Sequence, residues 1–105
     1  MLNIEKIEKD IVERLKPLEP EKIILFGSYA AGRVTDDSDI DMLVIMPFDG
    51  SSINKSAEVR LSLSSKYSID LLVRTPQQMK QRLELGDCFY QEILDKGKVL
   101  YEAVD

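Results

Sequence analysis

The feature that most constrains this chain is a pair of apolar runs joined by a polar segment, residues 23–46. The first run ends in Gly27 and Ser28, and the second begins with Asp39 and Asp41 at alternate positions. Because alternate residues of a strand point to one face of a sheet, the two carboxylates are predicted to lie side by side. Like charges held that close repel unless a cation sits between them. The stretch therefore predicts two strands that carry an acidic, cation-binding site.

The segment after the first strand has two interpretations. If a short helical turn begins at Ser28, its free N–H groups, with Gly27 before them, form a ready anion site. The plainer interpretation is that the two residues only end a strand and cap a helix. The glycine spacing matches a P-loop, but Arg33 and Val34 stand where that motif needs lysine and a hydroxyl, so a P-loop is rejected. A polar turn is predicted at 34–38.

A calcium-binding loop is also rejected for the acidic segment that follows. Asp37, Asp39 and Asp41 fit its first three ligand positions, but Met42 and Phe48 occupy the positions that need glycine and glutamate.

A third acidic residue, Asp70, lies in another apolar run, residues 67–74. It is either a salt-bridged structural residue or, if its strand neighbours the one that carries Asp41, the third member of a carboxylate cluster. Such a cluster can hold two divalent ions about 3.5–4 Å apart, as in phosphoryl transfer.

Helical and strand patterns alternate along the chain, which predicts an α/β (α+β) fold with a small mixed sheet flanked by helices and at least one parallel strand pair. Strands are predicted at 22–26, 39–46, 67–74 and 98–101. Helices are predicted at 3–16, with Asn3 as N-cap, and at 53–65, where Ser51-Ser52 marks the helix start and Ile53, Ala57 and Leu61 lie on one stripe. Two more follow caps: one has Thr75 and Gln78 in a capping box, and one begins after Asp87 and carries Phe89, Tyr90, Ile93 and Leu94.

Composition excludes several classes of function. The 105 residues predict a single domain over 1–105, and the net charge of −5 argues against stable nucleic-acid binding. No apolar run approaches the length of a membrane span. The chain has no histidine, which removes serine–histidine catalysis. Its one cysteine, Cys88, cannot form an internal disulfide, so a cytoplasmic, reducing environment is expected.

Taken together, Gly27-Ser28, ten intervening residues, Asp39-x-Asp41 and a third strand aspartate resemble the signature of the DNA polymerase β-like nucleotidyltransferase superfamily. The nearest branch is the minimal nucleotidyltransferase (MNT) domains. The resemblance extends from the leading helix to the final GKVLYE segment, residues 97–102.

This resemblance implies a polymerase β-like fold and a set of roles. Gly27 and Ser28 would approach the triphosphate of ATP. Asp39, Asp41 and Asp70 would hold two Mg²⁺ ions, or Mn²⁺, and Asp70 would also help to deprotonate the acceptor hydroxyl. Arg33 is assigned equally to phosphate neutralisation or to an ordinary surface position.

Single-domain members of this branch resemble the antitoxin partners of HEPN-domain toxins, which implies AMP transfer to a toxin tyrosine. The helix with Phe89 is a candidate contact, although most of its apolar stripe is expected in the core. Two alternatives stay open. One is a non-catalytic module that neutralises a toxin by binding it, and the other is a transferase for a small molecule such as an aminoglycoside, with a dimer completing the site. The oligomeric state is likewise left open.

Overall fold

The computed structural model describes residues 4–27, 39–64 and 66–104. The predicted helical turn at 28–32 and polar turn at 34–38 lie outside these residues, as do Asn3, Ser28 and Arg33.

The first helix, α1 (Ile4–Leu15), follows the predicted helical pattern. Ile7, Ile11 and Leu15, spaced three to four residues apart, are all buried, as expected when one stripe of a helix faces the core. A short 3₁₀ turn, Lys16–Leu18, follows and contains Pro17. Proline cannot donate the backbone hydrogen bond that would continue an α-helix. The predicted helix is therefore confirmed over residues 4–15, and it ends one residue earlier than expected, before the 3₁₀ turn that contains Pro17.

In the described residues four strands form the sheet: β1 (Lys22–Phe26), β2 (Ile40–Ile45), β3 (Ile69–Arg74) and β4 (Lys98–Glu102). Their order across the sheet is β3-β2-β1-β4. β1 runs antiparallel to both of its neighbours, whereas β2 and β3 are parallel. The predicted mixed sheet with a parallel pair is confirmed.

Three further helices lie in the described ranges, α2 (Ser52–Leu61), α3 (Pro76–Glu84) and α4 (Cys88–Lys96), and they begin at the predicted caps. Ser51 accepts the first free N–H groups of α2, and Asp87 does so for α4. At α3 the Thr75 hydroxyl accepts the Gln78 N–H at 3.0 Å, and the Gln78 side chain accepts the Thr75 N–H at 2.9 Å. The predicted capping box is confirmed.

Helices cover both faces of the sheet. On one face Met42 and Val44 of β2 pack with the buried stripe of α1 and with Val59 of α2. On the other face Leu43 and Ile45 pack with buried side chains of α3 and α4. β2 therefore has apolar side chains on both sides, which explains why it reads as an almost continuous apolar run.

The prediction for α2 was wrong in its length and in its buried face. The helix ends at Leu61 rather than at 65. Ile53 and Leu61, on the stripe expected to face the core, are 81% and 88% exposed. The contact with the core is made by Val59 instead, which is fully buried, and by Leu63 beyond the helix end.

Within the described ranges, no helix is both long and apolar enough to cross a lipid bilayer.

Candidate functional site

The parallel pairing of β2 and β3 places two acidic residues directly opposite each other. In this register Asp41 is the partner of Asp70. Asp41 also lies opposite Phe26, the last residue of β1. The ends of three adjacent strands therefore meet at one position of the sheet, and two of them bring a carboxylate there.

Asp39 lies immediately before β2 and is held from β3. The Ser68 hydroxyl donates a hydrogen bond of 2.6 Å to Asp39 Oδ1. The backbone of the same serine is fixed to β2, because its carbonyl accepts the Ile40 N–H at 2.9 Å. The Asp39 carboxylate is therefore held in one orientation by the residue that precedes β3.

Gly27 follows β1 with a left-handed φ of 67°, a conformation that favours glycine. A Cβ built on it would overlap Asp41 Oδ2 and would lie 3.3 Å from Asp41 Cγ. The missing side chain leaves the space that the Asp41 carboxylate occupies. Ser28, the second residue of the predicted phosphate site, and Arg33 lie outside the described residues.

The negative charges of the carboxylates around Asp41 repel one another. Burial raises the pKa of the Asp41 carboxyl above its usual value, and the charge of Asp70, a hydrogen bond to Asp70 and the charge of Asp39 raise it further. These are the desolvation and like-charge effects expected of neighbouring carboxylates. A cation at this place would relieve the repulsion.

An open cleft of about 570 Å³ surrounds the acidic pair. Besides Asp41 and Asp70, its lining consists of Phe26, Arg60, Leu71, Leu72 and Phe89. Phe89, in the first turn of α4, is 49% exposed and makes an edge contact with Phe26, with ring centroids 5.9 Å apart. The cleft thus has an acidic floor and a partly aromatic wall.

The donor set suits a hard divalent cation, because Mg²⁺ prefers carboxylate and phosphate oxygens and retains several waters. In residues 4–27, 39–64 and 66–104, however, no three acidic, histidine or cysteine side chains form a metal-ligand group. Asp41 and Asp70 offer two carboxylates to such a cation, which would need further ligands from outside the protein. Asp39 is hydrogen-bonded to Ser68 and is not a third member of a preformed group.

Two residues of this region were missed in the sequence analysis. Ser68 stands two positions before Asp70, so alternation along the strand was an available signal. Arg60 comes from α2, and no sequence spacing connects it to the acidic residues. Of the α4 stripe, Tyr90 and Ile93 are buried, which confirms that much of that stripe is core.

A family model and a named relative both match this chain to nucleotidyltransferases. Residues 5–105 match the family model described as "Polymerase beta, Nucleotidyltransferase". A Methanocaldococcus jannaschii protein named "Putative protein adenylyltransferase MJ0604" is 33% identical over 105 residues, which cover 95% of this chain and 100% of that protein.

Solved structures with a similar fold include two toxin–antitoxin structures. One is described as a toxin-antitoxin with AMP-PNP and has 25% identity, a TM-score of 0.65, and coverage of 91% of this chain and 73% of the other. The second is a complex of a tri-AMPylated Shewanella oneidensis HEPN toxin with an MNT antitoxin, with 22% identity, a TM-score of 0.60, and coverage of 96% and 74%.

Proposed function

Because the chain belongs to the polymerase β nucleotidyltransferase family, we propose that it transfers AMP from ATP to a hydroxyl group of a partner protein. The observation that carries the proposal is the register of Asp41 and Asp70 on adjacent parallel strands, with the open backbone of Gly27 beside them. Two carboxylates in a cleft, next to a glycine that follows a strand, suit a triphosphate held with a divalent cation.

The partner is proposed to be a HEPN-domain toxin, with a tyrosine as acceptor. The support is the protein adenylyltransferase name of the M. jannaschii relative and the toxin–antitoxin structures that share the fold. The half-exposed Phe89 gives the cleft an apolar wall that suits the ring of a phenolic acceptor. The protein would then act as an antitoxin.

Each carboxylate has a proposed role. Gly27 and Ser28 would approach the triphosphate, and Asp39, Asp41 and Asp70 would hold divalent cations beside it. Asp70 would also help to accept the proton of the acceptor hydroxyl. The acceptor oxygen forms a bond to the α-phosphorus, the bond from that phosphorus to the bridging oxygen breaks, and its electron pair leaves with pyrophosphate. Bound Mg²⁺ or Mn²⁺ would neutralise phosphate charge and lower the pKa of the acceptor hydroxyl.

The replacement Asp70→Asn tests this proposal, since it keeps the size of the side chain and removes its charge. We expect this variant to fold and to bind MgATP within about tenfold of wild type, roughly 1.4 kcal/mol. Transfer of AMP to the partner should fall at least about 100-fold, roughly 2.7 kcal/mol of barrier. The measurement is the intact mass of the partner after incubation with Mg²⁺ and ATP.

The matched control is Asp49→Asn, which changes an exposed aspartate in the turn after β2 and should transfer AMP normally. Near-normal transfer by Asp70→Asn would refute the catalytic role of Asp70. A wild-type protein that binds the partner tightly but modifies it with none of the four nucleotides would favour the non-catalytic antitoxin instead.

A further inference from the structure

The guanidinium of Arg60 is fixed at the open edge of the sheet. In the described part of the chain β3 is an outer strand. Its Ser68 carbonyl accepts a hydrogen bond from β2, so the next carbonyl, that of Ile69, points to the opposite side. Arg60, in the last turn of α2, donates from Nη1 to this Ile69 oxygen at 2.9 Å. The guanidinium is therefore held beside the residue that precedes Asp70.

Within residues 4–27, 39–64 and 66–104, the Arg60 guanidinium makes one hydrogen bond and has donors to spare. A guanidinium has five N–H donors in a planar fork, and the bond to Ile69 uses one of them. Among the residues that the structure describes, Arg60 forms no ion pair, although it lines the same cleft as Asp41 and Asp70. The cleft thus contains an anchored guanidinium that forms no ion pair with the carboxylates of the described residues.

The strand order places this charge on a particular side of the site. Across the sheet, Gly27 follows β1, Asp41 lies on the adjacent β2 and Asp70 on β3, with Arg60 outside β3. Arg60 and Gly27 therefore lie on opposite sides of the acidic pair. If the triphosphate enters beside Gly27, Arg60 is on the side from which an acceptor approaches Asp70.

We propose that Arg60 is a catalytic residue that binds the non-bridging oxygens of the α-phosphate from the acceptor side. This inference rests on the proposed function. In the reaction the acceptor proton passes to Asp70, the new oxygen–phosphorus bond forms, and pyrophosphate leaves with the electron pair of the broken bond. Throughout this step the planar guanidinium of Arg60 stabilises the charge on the transferred group. Arginine suits this task because it pairs with phosphate through two parallel hydrogen bonds.

The test uses the variants Arg60→Gln and Arg60→Lys in single-turnover transfer of AMP from ATP to the HEPN-domain partner. Glutamine can still donate to the Ile69 carbonyl but carries no charge, so its transfer rate should fall about 100-fold. Lysine keeps the charge without the fork, so its rate should fall about tenfold. The Kd of MgATP should stay within about threefold of wild type in both variants.

The control is Arg14→Gln, which removes an exposed arginine that pairs with Asp10 on α1; its transfer rate should equal that of wild type. A normal rate in Arg60→Gln would make Arg60 only a cap for the edge of β3 and would overturn the inference. A rise in the Kd of MgATP that accounts for the whole loss would place Arg60 on the nucleotide side and would overturn it as well.

Two further outcomes are also decisive. If Arg60→Gln does not fold, the transfer rate of Arg60→Lys decides the question. A wild-type rate in Arg60→Lys would show that the planar guanidinium is not needed and would overturn the inference. If the wild-type protein itself transfers nothing, the proposed function fails and this inference fails with it. An active wild-type protein with an equally active Arg60→Gln variant would instead overturn this inference alone and leave the proposed function standing.

Discussion

At the scale of single residues, the site depends on a backbone torsion angle as well as on its charges. From the sequence, Gly27 was either a strand end or, as the family resemblance implies, a point where the backbone comes close to phosphate. The structure adds two local requirements, a φ of 67° and a contact in which any Cβ would overlap Asp41 Oδ2. The residue therefore determines where the Asp41 carboxylate can lie, whatever it does for a nucleotide.

Gly86 offers a matched comparison for Gly27. Its φ is 77°, and a Cβ there would meet nothing within 4 Å. Both Gly27→Ala and Gly86→Ala should cost about 1–2 kcal/mol for the left-handed backbone, but Gly27→Ala should cost more because it also displaces Asp41. Urea denaturation measures both values. Equal losses of stability would mean that the overlap with Asp41 is relieved at no cost.

A double-mutant cycle isolates the contact between the two residues. Asp41→Ala removes the oxygen that the new methyl group would meet. The double variant Gly27→Ala/Asp41→Ala should therefore lose less stability than the sum of the single changes, by about 0.5–3 kcal/mol. Strict additivity would contradict the proposed contact.

The raised pKa of Asp41 gives a pH dependence with a definite sign. At pH values between the usual pKa of an aspartate and the raised pKa of Asp41, the folded state binds more protons than the unfolded state. In that range this carboxyl makes the free energy of unfolding fall as pH rises. Lowering the pH from neutral through the raised pKa should stabilise the wild-type protein relative to Asp41→Asn, without divalent cations. Denaturation of both proteins at several pH values checks this; a difference independent of pH would contradict it.

At the scale of secondary-structure elements, features set by local hydrogen bonds could be predicted from the sequence, whereas features set by tertiary contacts could not. The caps at Ser51, Thr75 and Asp87 were predictable because each involves hydrogen bonds within a few residues of sequence. The buried face of α2 was not. Ile53 and Leu61 share a helical stripe, but only contact with the sheet selects which stripe is buried, and that contact is made by Val59.

The α2 helix gives a direct test of this selection. Val59→Ala removes two buried methyl groups and should cost roughly 1–3 kcal/mol. Leu61→Ala changes an exposed side chain and should stay within about 0.5 kcal/mol of wild type. The free energy of unfolding in urea is the measurement. A large loss in Leu61→Ala with little change in Val59→Ala would mean that the helix packs through the opposite face.

At the scale of the whole molecule, the sequence predicted the alternation of elements and the mixed sheet but not the neighbours of each strand. Asp70 was a candidate only on the condition that its strand lies beside β2, and that condition is a property of the complete sheet. Arg60 could not be found at all, because its hydrogen bond to the Ile69 carbonyl of β3 depends on how α2 packs against the sheet.

Binding of nucleotide and metal should stabilise the whole domain. A ligand that binds only the folded state, at about ten times its Kd, adds about 1.4 kcal/mol. The melting temperature should therefore rise when Mg²⁺ and ATP are added together. The relevant comparison is the size of this rise, which should disappear in Asp39→Asn/Asp41→Asn. An equal rise in that variant would contradict the assignment of these two aspartates.

The position of β4 in the sheet has a consequence for biosynthesis. Among the strands that the structure describes, β4 is translated after the others, yet it pairs with β1, which is translated before them. While the ribosome is still adding the residues between them, β1 can pair with β2 but has one side with unpaired N–H and C=O groups. Exposed strand edges of this kind promote association between incomplete chains. The acidic pair, carried by β2 and β3, can therefore come together on a nascent chain before that edge is protected.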